Sequence, residues 1–285
     1  MTTKNLFEDD PLDDFEHREI TLDGVTPGIT KMVHVMGSGP AVIVMTEMPN
    51  ISPHVARFAR WVRDAGFTVY MPSLFGRDGA ILAEAEAVES FQHACVSAEF
   101  RAFANSNSGG NPDGKASPVT VWLRALARLA HEECGGPGVG AIGMCFTGNF
   151  ALSMTLEKAV LAPVLSQPSL PLDDKAAVES PPDELAAVRA RMERDDLTVL
   201  AYRFEGDSFC QAERFARYAE ALGDRFEGHV LPDSAANTQD LPEFAAKHVT
   251  TPHSVVTTHL IDEEGEPTAM ARDNILAFFK QRLAS

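Results

Sequence analysis

Residues 139–149 read Val-Gly-Ala-Ile-Gly-Met-Cys-Phe-Thr-Gly-Asn, an apolar run that predicts a buried strand, breaks at a glycine and continues into a helical pattern. The cysteine at the junction is Cys145. A nucleophile on so tight a turn needs small residues beside it, because the strand and the helix nearly touch. Gly143 meets this need, whereas Thr147 stands where the usual pattern has glycine. Free amides at the start of the helix would favour a thiolate. We interpret this stretch as a nucleophile elbow, with a buried structural cysteine as the alternative.

The composition fits one soluble α/β domain, which we expect to span residues 1–285 with an acidic N-terminal extension over residues 1–17. A formal net charge of −17 repels phosphate backbones, so nucleic acid is not an expected partner. Neither a signal-peptide pattern nor an apolar run of membrane-spanning length occurs, so no membrane association is expected. The four cysteines lack C-x-x-C pairing and metal-ligand spacing, which predicts reduced thiols in a cytoplasmic protein and no bound metal.

Strand and helix patterns alternate along the chain, which predicts a mostly parallel central sheet flanked by helices on both faces. An edge hairpin is expected first, and the later strands are the elbow strand and the runs at residues 41–46, 67–71, 159–165, 198–204 and 229–231. Helical spacing occurs at residues 55–65, 83–103, 119–133, 183–194, 211–222 and 267–283. Two long connections, 105–117 and 232–251, are expected to be loops.

Two acids and a histidine lie after other predicted strands. Glu47 and Asp207 each follow shortly after a buried run, and His253 lies in the connection before the closing helix. The C-terminal ends of parallel strands are where α/β proteins place their ligands. The order Cys145, Asp207, His253 is that of α/β-hydrolase triads. In such a triad His253 would deprotonate the thiol and protonate the leaving group, while Asp207 would fix the tautomer of the imidazole.

Four short motifs together resemble those of the dienelactone hydrolase family. They are residues 46–48 (Thr-Glu-Met), 143–148 (Gly-Met-Cys-Phe-Thr-Gly), 206–207 (Gly-Asp) and 253–254 (His-Ser). The family's patterns are H-E, G-x-C-x-G-G, an aspartate after a late strand, and H-S or H-A near the end. The resemblance covers the chain from about Ala41 onward and implies an α/β-hydrolase fold that needs no metal or organic cofactor.

The resemblance also implies individual roles. In the family the glutamate that corresponds to Glu47 contacts the resting cysteine and is displaced by substrate, and the oxyanion hole maps onto the backbone N–H groups of Met48 and Phe146. Removing one such donor typically costs on the order of 10²-fold in rate. The sequence departs from the pattern at Thr46, where the family has histidine, and at Thr257, where its best-known members have an arginine for a substrate carboxylate.

These features predict a cysteine-dependent hydrolase of a small ester or lactone that works through a thioester acyl-enzyme, with a small-molecule substrate as its partner. A non-catalytic, small-molecule-binding protein of the same fold is the alternative hypothesis. A thiol redox sensor that uses Cys145 with Cys210 or Cys95 is a third. The sequence leaves the oligomeric state open.

Other residues compete for two of the roles. His248 and His259 flank His253, which is favoured as the base by the motif at residues 253–254. Three further histidines lie in predicted helices, where solvated or locally hydrogen-bonded side chains are expected: His54, His93 and His131. Three arginines could supply a cation for a substrate carboxylate, although surface or ion-paired positions are the favoured interpretation: Arg77, Arg101 and Arg203.

Overall fold

A computed structural model describes residues 5–22, 28–100, 102 and 117–284, and within them eight strands form one sheet in the order β1-β2-β4-β3-β5-β6-β7-β8. The pairs β1–β2 and β2–β4 are antiparallel, and the remaining neighbours are parallel. The predicted edge hairpin and the mostly parallel sheet are therefore confirmed. The strands are β1 (Glu16–Leu22), β2 (Ile29–Gly37), β3 (Ala41–Met45), β4 (Thr68–Pro72), β5 (Val139–Met144), β6 (Val160–Ser166), β7 (Val199–Phe204) and β8 (Phe226–Leu231).

Helices cover both faces of the sheet. They are α1 (Pro53–Asp64), α2 (Glu84–Val96), α3 (Pro118–Cys134), α4 (Gly148–Met154), α5 (Pro182–Arg194), α6 (Ala212–Leu222), α7 (Glu243–His248) and α8 (Pro267–Leu283). Apolar side chains of α1 and α8 form the core on one face, and those of α3, α4, α5 and α6 form the core on the other. This is the α/β-hydrolase fold that the sequence predicts.

The central strand β3 shows how the sequence specifies this double burial. Successive side chains of a strand point to opposite faces. Val42 and Val44 belong to the core beside α1, whereas Ile43 and Met45 belong to the core beside α3. Every residue of β3 is buried, which is why the run is apolar at each position instead of alternating with polar residues.

Some boundaries differ from the sequence expectation. Helix α2 ends at Val96, several residues before the expected end at residue 103, and residues 105–116 of the expected loop lie outside the described residues. The expected connection at residues 232–251 contains α7, a helix too short to be stable by itself. Its Phe244 packs against a small apolar cluster that includes Leu82, and this tertiary contact is absent from the local sequence pattern.

The N-terminal segment packs against the fold at α1. Arg60 forms ion pairs with Asp10 and Asp14, and Leu12 and Phe15 are buried. Acidic residues of this segment thus form ion pairs with a helix of the domain. None of the helices in the described part of the chain is both long and apolar enough to cross a lipid bilayer.

Candidate active site

Five neighbouring strands end at the same edge of the sheet. Strands β3, β5, β6, β7 and β8 are parallel, so their C-terminal ends lie side by side. The predicted site residues Glu47, Cys145 and Asp207 follow β3, β5 and β7, and His253 follows β8 and α7. Residues that are distant in the sequence are thereby brought to one location.

Cys145 occupies a strained turn between β5 and α4. Its φ angle is +54°, in the left-handed region of backbone conformation that residues other than glycine rarely adopt. A Cβ atom on Gly143 would lie 2.0 Å from the carbonyl oxygen of Thr147, and one on Gly148 would lie 2.5 Å from Cα of Pro168. Neither position therefore has room for a side chain, as expected for a nucleophile elbow.

Thr147, which replaces a glycine of the family pattern, is part of the elbow's hydrogen-bonding. Its fully buried hydroxyl accepts a hydrogen bond from the N–H of Met144 at 2.9 Å. The same hydroxyl lies 3.2 Å from the carbonyl oxygen of Met45 and 3.1 Å from that of Thr46, either of which can accept its proton. The hydroxyl connects the elbow to the end of β3, where the oxyanion hole is predicted.

Asp207 and His253 form a buried pair. Oδ2 of Asp207 lies 2.7 Å from Nδ1 of His253, and the side chains are 0% and 4% exposed. The other oxygen, Oδ1, accepts hydrogen bonds from the backbone N–H groups of Phe209 at 2.8 Å and Cys210 at 3.0 Å. With Nδ1 donating to Asp207, the second ring nitrogen, Nε2, is left to act on a nucleophile.

The environment of His253 stabilises its charged form. Burial alone would lower the pKa of His253, but the negative charge of Asp207, interaction with Cys145 and hydrogen bonds to both raise it well above the ordinary value of 6.5. Phe209 packs beside the imidazole, with ring centroids 5.2 Å apart. A charged imidazole beside Cys145 favours the thiolate, which is the nucleophilic form of cysteine.

Sequence reasoning missed two polar residues after β6. The hydroxyl of Ser169 lies 3.3 Å from Nε2 of His253 and donates its proton to the carbonyl oxygen of Gln167 at 3.0 Å. The side chain of Gln167 donates to Glu47 at 3.2 Å and accepts from the backbone N–H of Val255 at 3.3 Å. The rule that placed Glu47 and Asp207 at strand ends could have found both residues if applied to β6.

Glu47 is held by neutral hydrogen-bond donors. Thr257 donates to Oε1 and Gln167 to Oε2, and the carboxyl group is almost fully buried. Burial raises the pKa of Glu47 above its ordinary value, although hydrogen bonds from Thr257 and Ser254 act in the opposite direction. Among the hydrogen bonds of the described residues none joins Glu47 to Cys145, so the resting contact implied by the resemblance stays a prediction.

The N–H groups of Met48 and Phe146 are available to a ligand. Neither has an acceptor among the hydrogen bonds of the described residues, and both residues line the same cavity as Cys145. Phe146 stands at the start of the short 3-10 turn Cys145–Thr147 that leads into α4, where the first N–H groups of a helix have no partner of their own. Two N–H groups without an acceptor beside Cys145 are compatible with the predicted oxyanion hole.

A cavity of about 460 Å³ opens at this edge of the sheet. Cys145 and His253 lie on its wall together with Glu47 and Ser169. Most of the remaining wall is apolar and comes from α2 and the loop before it, from α7 and the residue after it, and from the loops after β6 and β7: Ile81, Leu82, Val88, Phe91, Leu172, Phe209, Phe244 and Val249. A volume of this size suits a small organic ligand.

The competing histidines have other surroundings. His259 is buried, accepts the backbone N–H of Ser254 at its Nδ1, and has a pKa lowered to about 4, mainly by burial. His248 is exposed at the cavity rim, with Nε2 3.0 Å from Glu84. His253 is the one of the three that pairs with Asp207.

The expectation of a solvated or locally bonded side chain is wrong for His54, which is buried in the cavity wall, because α1 begins directly beside the site. The other two histidines fit the expectation: His93 is exposed and His131 hydrogen-bonds to the nearby carbonyl of Gly136.

The arginines considered for a substrate carboxylate lie elsewhere. Arg77 is exposed and pairs with Asp9, and Arg203 is buried, with its guanidinium donating to the carbonyl oxygen of Phe204. Arg101 lies outside the described residues. Within the described ranges no group of three or more His, Cys, Asp or Glu side chains could hold a metal ion.

Sequence comparison identifies the family. The model of the dienelactone hydrolase family matches residues 30–225. The chain belongs to this family. Membership makes it a carboxylic ester hydrolase and favours an enzyme over the binding-protein alternative. A search of curated proteins found no match.

Solved structures of low sequence identity share the fold. Dienelactone hydrolase from Anabaena variabilis ATCC 29413 is 12% identical, with a TM-score of 0.53 and coverage of 95% of this chain and 99% of that one. A cold-adapted esterase from an Arctic intertidal metagenomic library is 14% identical, with a TM-score of 0.55 and coverage of 96% and 97%. A dienelactone hydrolase-like promiscuous phosphotriesterase from metagenomic libraries is 15% identical, with a TM-score of 0.54 and coverage of 95% and 100%.

Proposed function

We propose that this member of the family hydrolyses a small ester or lactone with Cys145 as the nucleophile and His253 and Asp207 as its triad partners. One observation carries the proposal: a cysteine at φ +54° lines the same cavity as His253, whose Nδ1 is bound to Asp207. An unfavourable backbone angle is retained where it serves a purpose, and here it presents the thiol to the cavity.

The reaction takes two steps on these groups. The Cys145 thiolate attacks the carbonyl carbon, and the N–H groups of Met48 and Phe146 bind the oxyanion that forms. As the tetrahedral intermediate collapses to a thioester, the C–O bond breaks and His253 gives its proton to the leaving alkoxide. Neutral His253 then takes a proton from water, whose oxygen attacks the thioester and releases the acid and the thiolate.

Substitution of Cys145 tests this proposal. We expect Cys145→Ala to lower the hydrolysis of 4-nitrophenyl acetate by at least about 10³-fold under reducing conditions, because the nucleophile is gone. Cys95→Ala is the matched control, because Cys95 is a free, partly buried thiol on α2 that does not line the cavity. Mass spectrometry of the quenched wild-type enzyme should show one acyl group on Cys145.

Equal rates in the wild type and Cys145→Ala would refute the cysteine mechanism. Absence of hydrolysis in both, together with tight binding of a small molecule, would instead support the binding-protein alternative. Circular dichroism spectra of the variants must match that of the wild type for either conclusion.

A reducing compartment is part of the proposal. All four cysteines are free, and a cysteine nucleophile needs its thiol reduced. Both points support the cytoplasm as the location of the enzyme.

A further inference from the structure

We propose that the cavity takes uncharged esters or lactones with a hydrophobic acyl portion and rejects substrates that carry an additional, ionised carboxylate. This inference rests on the proposed function, because it names the substrate class of the same site. Two properties of the cavity wall support it: the apolar side chains and the surroundings of the basic groups.

The apolar part of the wall is large enough for an acyl chain. Phe91 and Val88 of α2 face the same cavity as Phe244 of α7, and Leu172 and Phe209 complete the wall close to the triad. Phe209 both lines the cavity and packs on His253, so this surface extends to the reacting atoms. Each methylene group that such a wall buries improves binding by about fourfold.

No arginine or lysine occurs among the described residues that line the cavity. The histidines of the wall do not provide a spare cation either. Burial lowers the pKa of His54 to about 4, so this imidazole is neutral at pH 7. His253 is engaged by Asp207, and His248 is hydrogen-bonded to Glu84 at the rim.

Two basic residues lie near the cavity, but neither belongs to its wall. Lys175 lies over the ring of Phe209, with Nζ 4.8 Å from the ring centroid, but does not itself line the cavity. Arg57 donates to the carbonyl oxygen of Thr257 and lies over the ring of Trp61. The hydroxyl of Thr257 donates to Glu47.

Among the described residues of the wall, an ionised carboxylate would therefore find no counter-ion. Removing a carboxylate from water without a positive partner is strongly unfavourable, and the net charge of −17 adds long-range repulsion. A methyl group at the same position of the substrate meets neither obstacle. We expect the preference for the neutral substrate to be at least about 100-fold in kcat/KM.

A matched set of aryl esters tests the inference. The probes are 4-nitrophenyl hexanoate, the 4-nitrophenyl monoester of adipic acid, and the methyl ester of that monoester. All three have a six-carbon acyl chain, and they end in a methyl group, a carboxylate and a neutral ester. We expect efficient hydrolysis of the first and third, and a kcat/KM at least about 100-fold lower for the second.

Gln92 provides a charge test with a matched control. This residue of α2 lines the cavity and is exposed, so a charged side chain at this position is compatible with folding. Gln92→Arg should reduce the preference for hexanoate over the adipate monoester by about tenfold, because it supplies a cation that the described part of the wall lacks. Gln92→Glu, of similar size and opposite charge, should leave the preference as large or widen it.

The outcomes separate this inference from the proposed function. Hydrolysis of hexanoate and adipate monoester at rates within threefold would overturn the inference while leaving the cysteine mechanism intact. A strong preference that Gln92→Arg fails to narrow would also overturn it, because the selection would then occur outside this cavity. Hydrolysis of none of the three esters would count against the proposed function itself.

Discussion

Two carboxyl groups at the same edge of the sheet have opposite surroundings. Asp207 follows β7 and Glu47 follows β3, and they are 3% and 4% exposed. Asp207 accepts hydrogen bonds from two backbone N–H groups and from His253, whose charge it balances. Glu47 accepts from Thr257 and Gln167, both neutral.

Equal burial thus leads to different chemistry. Burial raises the pKa of Glu47, because its neutral partners and the more distant charge of His253 compensate only part of the desolvation. Asp207 has a cationic partner in direct contact, so its negative charge is useful to the imidazolium. The partner of an acid at a strand end, rather than its position, therefore decides whether its negative charge has a counter-ion. Substitution of each carboxyl group tests whether this difference in surroundings leads to a difference in function.

The largest effect is expected at Asp207. Asp207→Asn keeps the shape of the side chain but presents either an amide NH₂ or a neutral oxygen to Nδ1 of His253, so the imidazolium loses its charge partner and the tautomer is disturbed. We expect kcat to fall by about 10³–10⁴-fold, measured with a small aryl ester at pH 7. A loss of less than tenfold would show that Asp207 does not support His253.

The double variant Asp207→Asn/His253→Ala tests whether the two residues act together. Residues that act as one unit are non-additive, so the double variant should be nearly as active as the worse single variant. Losses that multiply would contradict a shared triad. Matching thermal unfolding curves would exclude misfolding as the cause.

The second effect, at Glu47, is expected to be much smaller. In Glu47→Gln the amide oxygen can accept from Gln167 while the NH₂ group donates to the hydroxyl of Thr257, so both hydrogen-bonded contacts of the carboxyl group are kept. We expect kcat/KM to change by less than about tenfold, the value of one neutral hydrogen bond. A loss as large as that of Asp207→Asn would show that the charge of Glu47 takes part in the reaction, as the resting contact with Cys145 would require.

Stability against pH gives a second measurement on the same variant. Because the pKa of folded Glu47 lies above the ordinary value of 4.5, the unfolded chain ionises first and the wild type loses stability as the pH rises from about 4.5. Glutamine does not ionise and avoids this loss. Glu47→Gln should therefore have a higher Tm than the wild type at pH 7 and lose that advantage below about pH 4. An advantage that is the same at both pH values would contradict the raised pKa.

The sequence predicts the parts of this site that local geometry dictates. Gly143 and Gly148 are needed because backbone atoms approach their Cα positions, and that need is visible in the sequence around Cys145. The order of Asp207 and His253 along the chain follows from the order of the strands. The two core clusters follow from the alternation of side chains along each strand.

The sequence does not predict contacts between loops that meet only after folding. Thr147 and Thr257 interrupt the family pattern, yet their hydroxyls bond to groups about a hundred and two hundred residues away, at the end of β3 and on Glu47. Gln167 and Ser169 lie in a proline-rich segment that carries no motif. Their importance depends on the approach of the loop after β6 to the loop that carries His253.

The smallest effect is expected at Ser169. It concerns the pH at which His253, beside Asp207, loses its proton. Because the Ser169 hydroxyl donates its proton to Gln167, its oxygen faces Nε2 of His253 as an acceptor and favours the ring with a proton on both nitrogens. Ser169→Ala removes this acceptor, whereas Asp207 and Cys145 still raise the pKa of His253 and burial still lowers it.

The alkaline limb of the pH profile of kcat/KM, where His253 loses its proton, should therefore move to lower pH by up to about one unit. Activity at the optimum should fall by only a few-fold, since the three residues of the proposed triad are unchanged. Ser169→Thr, which keeps the hydroxyl, should leave the alkaline limb in place. A purely structural serine would lower the rate at every pH without moving the limb, and a limb that moves upward would mean that Ser169 donates to a neutral His253.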